Sequence, residues 1–184
     1  GALWRDVRTM RGHKVYATRP SHYPTATWMA ELCDEYGFYV REEADIECQG
    51  VMTLYEDGGA PEYGTHETRC EAFSLLAKDP MFKEAILDRV QRNVIRDKNS
   101  PSVVIWSLGN ESGYGENFEE AGRWVKAYDP SRLCHYEGSY WLAPSLANDT
   151  SMLDLYSRMY PPVAEVEAYF AGGGDGKPYV LCEY

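Results

Sequence analysis

One segment limits the possible folds more than any other: Ser102-Val103-Val104-Ile105-Trp106-Ser107, apolar and β-branched between its two serines, with no polar alternation. A strand with one wet face alternates; one that does not is buried on both faces. Burial on both faces requires a covering layer on each side, the setting of a parallel sheet wrapped in helices. The rest of the chain fits that scheme. Val15-Tyr16-Ala17-Thr18 reads as a strand, followed by a turn, Arg19-Pro20-Ser21-His22-Tyr23-Pro24. Trp28, Met29, Leu32, Cys33 and Tyr36 recur at helical spacing, and Gly37 is placed to end that helix. Phe38-Tyr39-Val40 is the next expected strand, and a loop rich in Glu, Gly and Pro is expected over 43–68. Asp79-Pro80 reads as a helix cap with proline in the first turn, and Phe82, Ile86, Val90 and Val94 give the helix one apolar face through to Asp97. Ala121, Trp124, Val125 and Tyr128 mark another helix, closed by Asp129-Pro130. Further strands are expected at 133–136, 152–156 and 179–182, and a short helix at 164–170. About six strands alternating with helices predict an α/β fold with a parallel sheet.

Composition excludes several function classes. The 184 residues suit one domain, and five Trp, five Phe and fifteen Tyr are too many for a disordered linker. Lys and Arg number 18 against 29 Asp and Glu, a formal charge of −11 with no basic run, which disfavours a nucleic-acid surface. No apolar stretch approaches the roughly 20 residues of a membrane span. The first residues, Gly1-Ala2-Leu3-Trp4-Arg5-Asp6, lack a signal-peptide pattern, so a cytoplasmic location is expected. Five cysteines without a Cys-x-x-Cys pair point to reduced thiols.

Polar residues collect where strands end: Arg19 and His22, Glu43 and Glu47, Asn110 and Glu111, Glu137, Tyr160, Glu183. In parallel α/β folds that rim is where sites assemble. The buried strand 102–107 runs directly into Asn110-Glu111, and Val180-Leu181-Cys182 delivers Glu183 in the same way. Two carboxylates on one rim suit glycoside hydrolysis, one as acid and one as nucleophile or stabiliser. Two ordinary surface glutamates in an acidic chain satisfy the spacing as well. The tyrosines suit either a pocket for a polyhydroxylated ligand or plain core.

Several segments together carry a family resemblance: Arg19-Pro-Ser-His-Tyr-Pro24, Leu32-Cys-Asp-Glu-Tyr-Gly37, Glu43-Ala-Asp-Ile-Glu-Cys-Gln-Gly50, Arg96-Asp-Lys-Asn-Ser-Pro-Ser-Val103, Val104-Ile-Trp-Ser-Leu-Gly-Asn-Glu-Ser-Gly113, Tyr128-Asp-Pro-Ser-Arg132, Tyr136-Glu-Gly138, Tyr156-Ser-Arg-Met-Tyr-Pro161 and Leu181-Cys-Glu-Tyr184. In this order they resemble the catalytic domain of glycoside hydrolase family 2, specifically its bacterial β-galactosidases. The resemblance implies a (β/α)8 barrel and a retaining two-glutamate mechanism, with carboxyl groups roughly 5–5.5 Å apart. It implies Glu111 as general acid/base, Glu183 as nucleophile, and Tyr160 as the tyrosine that hydrogen-bonds the nucleophile. Asn110 is implied to bind the sugar 2-hydroxyl, His22 to contact sugar hydroxyls, and Arg19 to keep the nucleophile ionised. Mg²⁺ is implied beside the acid/base, on Glu47, Glu111 and residue 49. Gln49 stands where the family has histidine, which weakens that site. Glu43 and Glu137 are expected on the same rim, as supports or as sugar contacts; His13, His66 and His135 receive no role.

The resemblance covers an incomplete barrel, residues 1–184, from within the first helix to the end of the seventh strand, so about strands 2 to 7, without the flanking domains. A larger, multidomain and homo-oligomeric parent enzyme acting on β-galactosides is therefore expected, and little turnover by this stretch alone. β-Glucuronidase or β-mannosidase of the same family, or an inactive carbohydrate-binding fragment, are the alternatives.

Overall fold

The structure, a computed structural model, describes residues 1–51 and 65–184. Among these, strands β1 (Ala17–Thr18), β2 (Tyr39–Glu43), β3 (Val103–Ser107), β4 (Leu133–His135), β5 (Tyr156–Met159) and β6 (Tyr179–Glu183) are interleaved with six α-helices, two of them between β2 and β3 and none between β4 and β5. These are α1 (Ala2–Gly12), α2 (Thr27–Tyr36), α3 (His66–Lys78), α4 (Pro80–Asp97), α5 (Glu116–Tyr128) and α6 (Val163–Ala171). β1 to β4 form one parallel sheet in chain order, and β5 and β6 pair in parallel as a second. Asp154 joins the two: its N–H donates to Cys134 O at 2.9 Å and its carboxylate accepts the Cys134 N–H at 2.7 Å. Six parallel strands, most of them separated by helices, are an incomplete barrel of the (β/α)8 type.

Local chemistry explains the element ends. Gly37, at φ +69°, closes α2 in the left-handed conformation that glycine adopts without cost. Asp79 caps α4 by accepting the Met81 N–H, with Pro80 in the first turn. Thr65 accepts the Thr68 N–H to start α3. Between helices and strands lies an apolar layer that includes Val7, Cys33, Phe38, Val90, Trp106, Phe118, Val125 and Tyr136. All five cysteines are free.

Three expectations need correction. The strand expected at 152–156 starts only at Tyr156, because Met152 and Leu153 are buried within a turn closed by Leu153 N–H to Thr150 O. Apolar residues that plug a turn read like a strand in sequence. The strand expected at 133–136 ends at His135, and Tyr136 leads into a 3-10 turn, Glu137–Tyr140. The loop expected over 43–68 begins inside β2 and ends inside α3, and its stretch 52–64 lies outside the described residues.

Candidate active site

The chain brings the sequence-predicted polar residues to one rim, at the carboxyl ends of the strands, with Arg19 at their centre. Just past β1, its Nε and Nη2 donate to the two oxygens of Glu43, at 2.8 and 3.1 Å. Nη1 donates to Glu183 Oε1 at 2.6 Å and to Cys182 O at 3.3 Å, and Nη2 also reaches Asn110 Oδ1 at 2.7 Å. One guanidinium therefore ties the ends of β1, β2, β3 and β6 together, using the planar donor fork that lysine lacks. Glu43 is fully buried and also takes His22 Nδ1 at 3.0 Å and the Ser107 hydroxyl at 3.0 Å. It is a hub for side chains in this structure.

The two glutamates delivered by β3 and β6 sit in opposite electrostatic settings. Burial, then the charges of Glu47 and Glu183, pushes the Glu111 carboxyl above the usual carboxylate range. Burial acts on Glu183 too, but the hydrogen bonds from Tyr160 and Arg19 and the charge of Arg19 outweigh it and hold that carboxyl low. The Tyr160 hydroxyl donates to Glu183 Oε2 at 2.5 Å. Glu111 (φ +36°) and Tyr160 (φ +46°) both adopt left-handed backbone, which non-glycine residues take up mainly where the surroundings impose it. Their amides are held: Glu111 N–H donates to Glu137 Oε2 at 2.8 Å, and Tyr160 N–H to Glu183 O at 3.0 Å. Burial raises the Glu137 carboxyl to about 7.

The metal residues converge only in part. Asn110 Nδ2 donates to Glu47 Oε2 at 2.8 Å, and Glu47 is near enough to Glu111 for its charge to count there. Two adjoining carboxylates suit a hard cation, which would offset their repulsion. Gln49 is exposed in the following turn and shares no hydrogen bond with either. Among the described residues, no cluster of three His, Cys, Asp or Glu side chains is spaced for a metal ion.

Sequence reasoning missed three participants. Arg41 is buried beneath Arg19, donates to Cys182 O at 3.0 Å, and is brought down to about 10 by burial and then by the charge of Arg19. Glu42 faces the helices, accepts the Thr25 N–H at 2.9 Å and Arg96 Nη2 at 3.3 Å, and so anchors the turn that carries Arg19 and His22. The signal for both was present: three successive charges, Arg41-Glu42-Glu43, on a strand that must be covered on both faces. His135 is the third. Its Nδ1 lies 3.1 Å from Ser107 Oγ and its Nε2 2.7 Å from Ser157 Oγ. Ser107 spends its proton on Glu43, so it accepts from His135 Nδ1–H, and Nε2 accepts from Ser157. Burial, and the charges of Arg41 and Arg19, keep this imidazole neutral.

Comparison with known proteins is consistent with this geometry. The family description "Glycosyl hydrolases family 2, TIM barrel domain" matches residues 1–184. The chain is 45% identical over 191 residues to a β-galactosidase of Actinobacillus pleuropneumoniae, covering 98% of this chain and 19% of that protein. It is 39% identical to a β-galactosidase of Staphylococcus xylosus, covering 98% and 17%. This chain thus spans less than a fifth of the length of these relatives. Among solved structures, a Ruminococcus gnavus β-glucuronidase superposes with a TM-score of 0.67 at 22% identity, over 98% of this chain and 33% of that one. A family 2 β-galacturonidase from Eisenbergiella tayi gives 0.64 at 16%, over 98% and 31%. At those identities the likeness is one of fold.

Proposed function

Because the chain belongs to glycosyl hydrolase family 2, we propose that it is the catalytic segment of a longer, retaining β-galactosidase. The observation that carries this reading is the pairing of Glu111 and Glu183 on one rim with opposite proton affinities, the first raised and the second lowered. Two carboxyls kept apart in this way divide into an acid and a nucleophile. In the first step the Glu183 carboxylate attacks the anomeric carbon while Glu111 gives its proton to the departing glycosidic oxygen. In the second, Glu111 takes a proton from water, which attacks the anomeric carbon and releases Glu183. Arg19 and Tyr160 hold Glu183 ionised and aimed. Asn110 and His22 lie beside Arg19, where the sugar hydroxyls would fall. Mg²⁺ would be held by Glu47 and Glu111, with Gln49 a weaker third donor, and when bound would supply positive charge next to the acid/base.

The choice of β-galactosidase over β-glucuronidase or β-mannosidase is supported by relatives of that name at 36–45% identity. The test uses the full-length protein. A 2-deoxy-2-fluoro-β-galactoside with an activated leaving group should inactivate it and leave one label, which peptide mass spectrometry should find on Glu183. A label on another residue would overturn the nucleophile assignment. Faster turnover of the aryl β-glucuronide or β-mannoside than of the β-galactoside would overturn the sugar.

A further inference from the structure

Glu137 lies two residues past the end of β4 and opens the turn Glu137–Tyr140, with a side chain shut away from solvent. Each oxygen has one donor: Oε2 takes the Glu111 N–H at 2.8 Å and Oε1 takes Trp141 Nε1–H at 3.1 Å. The Glu111 amide is thus received by a carboxylate from the turn that follows the neighbouring strand, at a residue whose φ of +36° few L residues adopt. The residues on either side are held as well: Asn110 N–H donates to Ile46 O at 2.9 Å, and the Ser112 hydroxyl to Asn110 O at 2.7 Å. The acceptor itself is braced. The Trp141 ring lies 4.9 Å from Phe73 and 5.0 Å from Tyr140, and Gly138 is packed so tightly that a Cβ there would fall 2.5 Å from Gly113 O. Glu111 and Glu137 also line one cavity of about 240 Å³, with Trp141 and Tyr160 on its other walls.

We propose that Glu137 is a positioning residue for the acid step: its carboxylate pins the main chain of Glu111 in the left-handed conformation that aims the acid at the leaving oxygen. This rests on the glycosidase reading above. It makes a demand that a merely structural role does not. A leaving group that departs without a proton has no need of a well-aimed acid, whereas a poor leaving group depends on one.

The experiment compares an alkyl β-galactoside with 2,4-dinitrophenyl β-galactoside, reading kcat/KM so that only the first step counts. In the full-length protein, Glu137→Ala should lose on the order of 10²-fold on the alkyl substrate and stay within about threefold on the dinitrophenyl substrate. Equal losses on both, or none on either, would overturn the proposal. If the alanine variant does not fold, Glu137→Gln serves: one carbonyl must satisfy two donors, so a smaller loss, again confined to the alkyl substrate, is expected. Wild-type rates on both substrates, or an equal drop on both, would be decisive against it. A wild-type protein that cleaves neither galactoside would instead refute the underlying function, a result visible before any variant is made.

Discussion

Arg19 is the side chain on which the rim most depends, because its three nitrogens serve four acceptor groups on three other strands or their ends. It helps hold the Glu183 carboxyl low, so the proposed nucleophile is ionised down to acidic pH. Removing the cation raises the pKa of that carboxyl, and the acid limb of kcat/KM must move to higher pH. That upward displacement is the outcome expected for Arg19→Ala in the full-length protein. Arg19→Lys should fall between, since an ammonium keeps the charge without the paired geometry. An unmoved limb in both variants would show that Tyr160 alone keeps Glu183 ionised. Beside it, Glu47 supports a separate expectation for Mg²⁺. Activity should fall on chelation and return with added Mg²⁺, and Glu47→Gln should raise the Mg²⁺ concentration needed for half-activation by at least the roughly 10–100-fold that loss of a supporting partner costs at such sites. Chelation without effect would show that Glu47 and Glu111 work as a bare pair.

Below the candidate catalytic rim, neighbouring strands are joined by side chains as well as by ladders: Arg19, Glu43, Ser107, His135 and Ser157 form a hydrogen-bonded series from β1 to β5. It crosses the gap between the two sheets, where β4 and β5 share no ladder. His135→Phe would leave two buried hydroxyls without their partner, and should cost about 2–4 kcal/mol in urea denaturation at pH 7. A pH dependence follows from the neutral imidazole. The unfolded histidine takes a proton at about pH 6.5, which the folded one refuses, so acid favours unfolding. The contribution is fully present above that pH and is lost as pH falls below it; His135→Phe should flatten the stability profile between about pH 6.5 and 5. A profile parallel to wild type would remove His135 from this role. The same residue shows what was legible in the sequence. Strand–helix alternation, the caps at Gly37 and Asp79-Pro80, and the rim residues are local patterns, readable from neighbours in the chain. The partners of His135 lie 28 and 22 residues away, on other strands, and no spacing announces them. Helix α3 went unread for another reason: the face it buries, Cys70, Phe73, Ser74 and Ala77, has helical spacing but only one large apolar side chain, so its stripe is too weakly hydrophobic to stand out in the sequence. One of its contacts is with the loop after β3, where Gly113, at φ +66°, lies so close to Phe73 O that no Cβ fits.

The six strands close on themselves only at the top. There Arg19 and Arg41 reach across to Cys182 O, and Arg19 to Glu183, bridging β1 and β2 to β6. Lower down, β1 pairs only with β2 and β6 only with β5, so among the described residues the edges of β1 and β6 that flank the opening have no ladder partner. The opening between them leads to a cavity of about 290 Å³ lined by Tyr39, Ile105, Leu181 and Tyr184, and Tyr39, Leu181 and Tyr184 are exposed. An apolar interior open to water gives up part of the stabilisation that burial supplies, and exposed edges invite pairing with other copies. Glu183, the proposed nucleophile, stands on one of those edges, held by Tyr160 and Arg19, and among the described residues no strand pairs with its open side. Relatives of this chain are more than five times as long, and we infer that residues outside this stretch cover the opening and complete the sugar pocket. The 184 residues purified alone should therefore hydrolyse an aryl β-galactoside at less than about a thousandth of the full-length rate, the scale of losing both positioning and water exclusion. They should also bind a hydrophobic dye and self-associate as concentration rises, by light scattering. Turnover by the isolated stretch within about tenfold of the full-length protein, abolished by Glu111→Gln, would show that six strands and one arginine clamp suffice to hold the acid and the nucleophile in register.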